Sequence, residues 1–237
     1  MNNHRRNIDR IKAVSRAFGK LKEDIVFVGG ATVSLYADRM AEEVRETIDI
    51  DIVVEIYSRI DFLKLENDLR QLGFSPNTEA RFIGSYKFDN LIVDVMPISE
   101  AILGFSNKWY REGYDFAITY PIDKENTVKI FSPPYFLASK IEAFKSRGKN
   151  ANNQYDGRTS SDFEDIVFVL ENRFAIWDEF KSSPPSVKDY LKKEFTSLLA
   201  VPYIEEWIDA HVAYNLPYEE TATGFIIQKL RDFTNQQ

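Results

Sequence analysis

The hydrophobic period of the chain changes near residue 132, and that break limits the architecture more than any other feature of the sequence. Upstream, short β-rich runs (DIVFVGG, IDIDIVVEI, ARFIGSYKF, LIVDVMPI and TVKIF) alternate with helical patterns at VSLYADRMAEEV and RIDFLKLENDLRQLGF. Downstream, every pattern is helical: SPPYFLASKIEAFKSR, SDFEDIVFVLENR, SVKDYLKKEFTSLLA, VPYIEEWIDAHVAY and TATGFIIQKLRDF. This predicts an α+β fold, with a sheet domain over residues 1–132 and an α-helical domain over 133–237. The first downstream helix opens on Ser132 and two prolines and places Phe136, Leu137, Ile141 and Phe144 on one face. The polar stretch GKNANNQYDGRTSS that follows reads as a loop of about a dozen residues, a length often functional or mobile.

Composition narrows the chemistry. A chain of 237 residues, 44% hydrophobic and 28% charged, can bury a real core. It has no cysteine, which removes disulfides, thiol nucleophiles and thiolate metal sites. With only two histidines, His4 near the start and His211 in a late helical pattern, neither a zinc site nor a histidine-based triad is expected. A net charge of −7 and a pI near 5.1 argue against broad, charge-driven binding to DNA and leave room only for local nucleic-acid contact. No run approaches the roughly 20 apolar residues that span a bilayer, and the basic, amphipathic start lacks a signal-type apolar stretch. The expectation is a cytoplasmic protein with no membrane partner.

The run ETIDIDIVVE raises a sharper question. It reads as a buried strand, with Ile48, Ile50 and Ile52 facing the core, yet it carries Asp49 and Asp51, and unpaired carboxylates are costly to desolvate and repel one another. Residues two apart on a strand project from one face, so the two acids form a shared oxygen-rich edge. A solvated face or a pairing with Arg or Lys would explain an isolated pair of this kind. LIVDVMPI, however, places Asp94 among apolar residues in the same way, and three carboxylates on adjacent strands are what hard Mg²⁺ or Mn²⁺ ions require. Upstream, DIVFVGGATVSLYA runs a strand into Gly29-Gly30 and then a helix, where glycines admit a close ligand and the helix start favours phosphate.

Strand-GG-helix, then D-x-D, then a further strand acid, resembles the catalytic domain of the DNA polymerase β-like nucleotidyltransferase superfamily. VGGATVSLY, Thr47 before DID, and PYFLASKIEAFKSRGKN with SSDFEDIVFVLENR narrow the resemblance to the bacterial AbiEii-type family, which includes type IV abortive-infection toxins and the related MenT toxins. The similarity covers residues 26–173. It implies that Asp49 and Asp51 hold divalent metal, Mg²⁺ or Mn²⁺, against a nucleoside triphosphate, and that Asp94 completes the metal site or accepts the proton of an attacking hydroxyl. It further implies that Gly29, Gly30, Thr47, Lys140 and Arg147 bind nucleotide, with Lys140 on phosphate, and that Asp162 belongs to the catalytic set. The chain reads Gly30-Ala31-Thr32 where toxins of the family often read GGT, which leaves Thr32 and Ser34 both open as the phosphate-contacting hydroxyl.

The residues themselves leave plainer readings of the second segment. Lys145, Arg147 and Lys149 suit a helix C-terminus, and Asp162 and Asp165, after Ser160-Ser161, suit a helix start. The function expected from the resemblance is transfer of a nucleoside monophosphate to an acceptor hydroxyl, on RNA such as the tRNA 3′ end, in a toxin paired with an antitoxin protein. The alternatives are an aminoglycoside-type small-molecule nucleotidyltransferase and a non-catalytic nucleotide-binding module. A CCA-adding enzyme also begins with VGG and D-x-D, but its later nucleotide-selecting arginine and aspartate motifs are not found here.

Overall fold

The computed structural model describes residues 3–38, 44–212 and 221–235. These form two compact units: one of the described residues up to Leu35 and from 44 to Ser132, the other of residues 36–38 and those from Pro133 onward.

The first unit is built on a seven-stranded mixed sheet. In chain order it runs α1 (Asn3–Ala17), β1 (Ile25–Val28), β2 (Asp49–Val54), α2 (Arg59–Gln71), β3 (Ser75–Pro76) and β4 (Ser85–Phe88). It continues with β5 (Leu91–Pro97), the short α3 (Glu100–Leu103) and α4 (Tyr110–Asp115), β6 (Ile118–Pro121) and β7 (Thr127–Ile130). The strand order is β3-β4-β5-β2-β1-β7-β6. β2 therefore lies inside the sheet, parallel to β5 and antiparallel to β1. Its apolar residues explain the placement: Ile50, Ile52 and Val53 are fully buried, as are Val93 and Val95 of β5.

Two local expectations change, and two strands carry no sequence signal. The ladder of β2 begins at Asp49, and Ile48 is 60% exposed, because no partner strand fixes its face before the first pair, Asp49 with Ile92. After Gly29 the chain forms a 3₁₀ helix, Gly30–Tyr36, in place of an α-helix; the tail of that helical pattern, residues 39–43, lies outside the described residues. β3 and β6 had no recognisable pattern: β3 has two residues, and β6 is an edge strand with Ile118, Thr119 and Pro121 exposed.

The second unit is helical: α5 (Pro133–Arg147), α6 (Ser161–Asn172), α7 (Ile176–Ser182), α8 (Pro185–Leu199), α9 (Ile204–Asp209) and α10 (Ala222–Asn235). The pattern after Trp207 was expected to continue through 214, and residues 213–220 lie outside the described residues. Aromatic rings fill the core in two groups. Phe144, Phe163 and Trp207 meet at centroid distances of 5.3 to 5.9 Å. Phe180, Phe195 and Phe233 meet at 5.0 to 6.2 Å. α5 is buried along its whole first half rather than on one face, Ser139 and Lys140 included. The stretch between α5 and α6 is tied back on itself. Lys149 bridges Tyr155, Asn150 Oδ1 accepts from the amides of Asn152 and Gln154, and the Tyr155 hydroxyl donates to the Lys145 carbonyl at 2.9 Å.

Candidate metal centre

Strand pleating and register bring the acids of the first unit together. Asp49 and Asp51 share a face of β2, and Asp51 sits directly opposite Asp94 in the parallel β2–β5 ladder. One carboxylate oxygen from each of Asp49, Asp51 and Asp94 lies within 4.8 Å of the others, and all three residues are half-buried. The outward face of β5 carries half-buried Ile92, Asp94 and Met96, while Val93, Val95 and Pro97 on its other face are buried.

The electrostatics of the cluster favour a cation. Burial pushes the Asp94 carboxyl above its ordinary range; Ser85, its register partner on β4, pulls it down, and the Asp49 charge pushes it up again. Asp94 Oδ1 is buried with no hydrogen-bond partner. An orphaned carboxylate oxygen beside two further carboxylates, all hard donors, fits a divalent cation. The three acids can therefore bind a divalent metal.

The Gly29-Gly30 turn packs against this centre. Gly29 has φ +73°, and a Cβ on it would lie 2.0 Å from Asp51 Oδ2. A Cβ on Gly30 would meet Arg45 Nη2 at 2.2 Å and Thr47 Oγ1 at 3.1 Å. Both glycines thus let acid-bearing and hydroxyl-bearing segments approach the turn. Gly29→Ala is expected to cost about 1–2 kcal/mol for the left-handed backbone alone and to displace the Asp51 carboxylate. Thermal melts with and without Mn²⁺ check this: the variant should lose most of any metal-induced rise, and a full rise would show that Asp51 does not need that space.

The hydroxyls are less open. Thr32 is fully buried and its Oγ1 donates to the Gly29 carbonyl at 2.9 Å; Ser34 is 3% exposed, with a buried Oγ that has no partner. Thr47 is 4% exposed. In addition, Asn7 and Arg10 of α1 contact residues 45–47, an arrangement without any short-range sequence signal.

Within the second unit, Lys140, Arg147, Asp162 and Asp165 form one ionic network. The Lys140 ammonium lies 2.6 Å from Asp165 Oδ2 and 3.2 Å from Asp162 Oδ1, and Arg147 grips Asp162 through Nε at 2.6 Å and Nη2 at 2.8 Å. Burial alone would raise the Asp162 carboxyl, yet Arg147 and Lys140 outweigh it and hold it below its usual value. The helix-capping reading of Asp162 is corrected: the cap of α6 is Ser160, whose Oγ accepts from the Phe163 amide at 3.3 Å. Arg147 likewise does more than end α5, since its guanidinium is committed to Asp162 although its side chain is 67% exposed.

Among the described residues no helix is long and apolar enough to cross a membrane. No known family's profile and no curated protein matches the chain. Among solved structures, the chain is similar to an antigenic nucleotidyltransferase-like protein from Paracoccidioides brasiliensis, at 19% identity and a TM-score of 0.47, over 85% of this chain and 92% of that one.

Proposed function

We propose that the chain is a metal-dependent nucleotidyltransferase that moves a nucleoside monophosphate from a nucleoside triphosphate to an acceptor hydroxyl. The observation that carries this reading is the convergence of Asp49, Asp51 and Asp94 beside a glycine turn that Asp51 approaches closely. In the proposed step the acceptor oxygen bonds to the α-phosphorus, the α–β phosphoanhydride bond breaks, and pyrophosphate departs with that bonding pair. Bound to these acids, Mg²⁺ or Mn²⁺ would neutralise triphosphate charge and acidify the attacking hydroxyl. Asp49 and Asp51 orient the donor set from adjacent positions on one strand face. A raised carboxyl and one unpartnered oxygen support Asp94 as the acceptor of the hydroxyl proton or as a further metal ligand.

The resemblance of the sequence supports the finer reading: an RNA acceptor such as the tRNA 3′ end, and a toxin restrained by a cognate antitoxin. It also supports roles in nucleotide binding for Gly29, Gly30, Thr32, Thr47, Lys140 and Arg147, and in catalysis for Lys140 and Asp162. For Lys140 a phosphate contact would require exchange of its carboxylate partners. Incubation with α-labelled triphosphates, Mn²⁺, and either total tRNA or an aminoglycoside panel tests the proposal. Label on RNA with release of pyrophosphate is the expected result. Label on an aminoglycoside would replace the RNA acceptor by a small molecule, and no transfer with unaltered triphosphate would overturn the reading.

A further inference from the structure

β2 is supported unevenly. Its partner β5 pairs with all of Asp49–Val54, whereas β1 pairs only with Asp51–Val54. Asp49 therefore has a neighbouring strand on one side alone, at the point where the chain enters the acid cluster. The missing support comes from α1. Asn7, fully buried, uses both ends of its amide: Nδ2 donates to the Arg45 carbonyl at 3.2 Å, and Oδ1 accepts from the Thr47 amide at 3.2 Å. Arg10 donates through Nη1 to the Thr47 carbonyl. Its other nitrogen holds Glu46 Oε1 at 2.6 Å, and Arg6 holds Glu46 Oε2 at 2.9 Å.

Residues 45–47 are thus gripped through main chain and side chain immediately before Asp49. A planar amide that meets a carbonyl and the amide two residues on does what a paired strand would do. Gly30 packs against the side chains of Arg45 and Thr47, so the same grip sets the glycine turn relative to the acids.

We propose that Asn7 and Arg10 are positioning residues for the metal centre, holding the 45–47 segment so that the Asp49 carboxylate stays in register with Asp51 and Asp94. The inference rests on the nucleotidyl-transfer reading and adds to it a function for the N-terminal helix. Neither residue is one of the three acids; both bond to the backbone of Thr47. Displacing a ligand by a fraction of an ångström weakens a metal site without removing any donor, as loss of outer-shell partners does elsewhere.

The test compares wild type, Arg10→Gln and Asn7→Ala in the full chain, using Mn²⁺ alone as the probe. Mn²⁺ affinity is read by electron paramagnetic resonance on protein shown to be folded by circular dichroism. About tenfold weaker Mn²⁺ binding is expected in each variant, the range typical for lost second-layer partners. With triphosphate, kcat at limiting Mn²⁺ should fall and recover as Mn²⁺ is raised. A merely structural role would lower the melting temperature and leave the affinity of the folded protein unchanged, and that result overturns the inference. Arg10 keeps 21% of its side chain exposed, so Arg10→Gln decides the matter if Asn7→Ala fails to fold. A wild type that binds no Mn²⁺ overturns the metal reading itself; a wild type that binds, with both variants equal to it, overturns the positioning role alone.

Discussion

Asp51→Asn is expected to lower pyrophosphate release by roughly 10³-fold or more, because several kcal/mol of metal-supplied charge stabilisation is at stake and each 1.4 kcal/mol is about tenfold in rate. Asn keeps the size and one acceptor oxygen but removes the charge, at a position that Gly29 packs against and that stands opposite Asp94 in the ladder. Asp49→Asn should behave alike. The measurement is single-turnover pyrophosphate release at saturating Mn²⁺, accompanied by the thermal shift on adding Mn²⁺ with nucleotide. Folding should survive both changes, since each removes a like charge from a cluster with three acids. Activity within tenfold of wild type in both variants would remove the proposed metal centre.

The second large effect lies in the helical unit and concerns folding. Lys140→Met should destabilise that unit by about 3–5 kcal/mol, the usual cost of removing one partner from a buried ion pair. Asp162 and Asp165 are each 1% exposed, and Met offers them nothing in return. Arg147→Gln should cost far less, about 1 kcal/mol or below, because most of the arginine is in water. A triple change of Lys140→Met with Asp162→Leu and Asp165→Leu should recover much of the loss, as well-packed apolar residues can replace buried charges. Urea denaturation at neutral pH checks all three. The Asp162 carboxyl is lowered in the folded state, so its contribution is complete above the ordinary aspartate range, near pH 4, and disappears as pH falls through the lowered value. If Lys140→Met costs less than about 1 kcal/mol, the network is not a structural support and Lys140 is free for another role.

The parts of this molecule that the sequence makes readable are those set by short-range pattern. β1, β2, β5 and β7 stand out because interior strands must be apolar, and Asp49 and Asp51 stand out because acids there break the pattern. That Asp94 belongs on an adjacent strand could be guessed; that it faces Asp51 and not Asp49 is a matter of register, which no local feature encodes. The pattern puts Lys140 at the margin of an amphipathic helix, but burial of the first half of α5 on all sides makes it the centre of an ionic network. Asp162 looked like a cap because it lies in the first turn, and Ser160 beside it already does that work. The grip of Asn7 on residues 45–47 joins segments nearly forty residues apart and is invisible in any window of the sequence.

Residues 36–38 group with the helices although the sheet unit lies on both sides of them in the chain. The ring of Tyr36 packs on Phe136, tilted by 37° at a centroid distance of 4.4 Å, Asp38 Oδ2 accepts from the Phe174 amide at 2.7 Å, and the Asp38 amide donates to the Asn172 carbonyl at 2.9 Å. A gene fragment starting at Pro133 would therefore encode helices lacking part of their own core, with Phe136 losing its Tyr36 neighbour and the Asn172 carbonyl and Phe174 amide losing their Asp38 partner. Neither unit is a cassette that one recombination point could move to another protein, and a donor of the helices must bring this short upstream piece along.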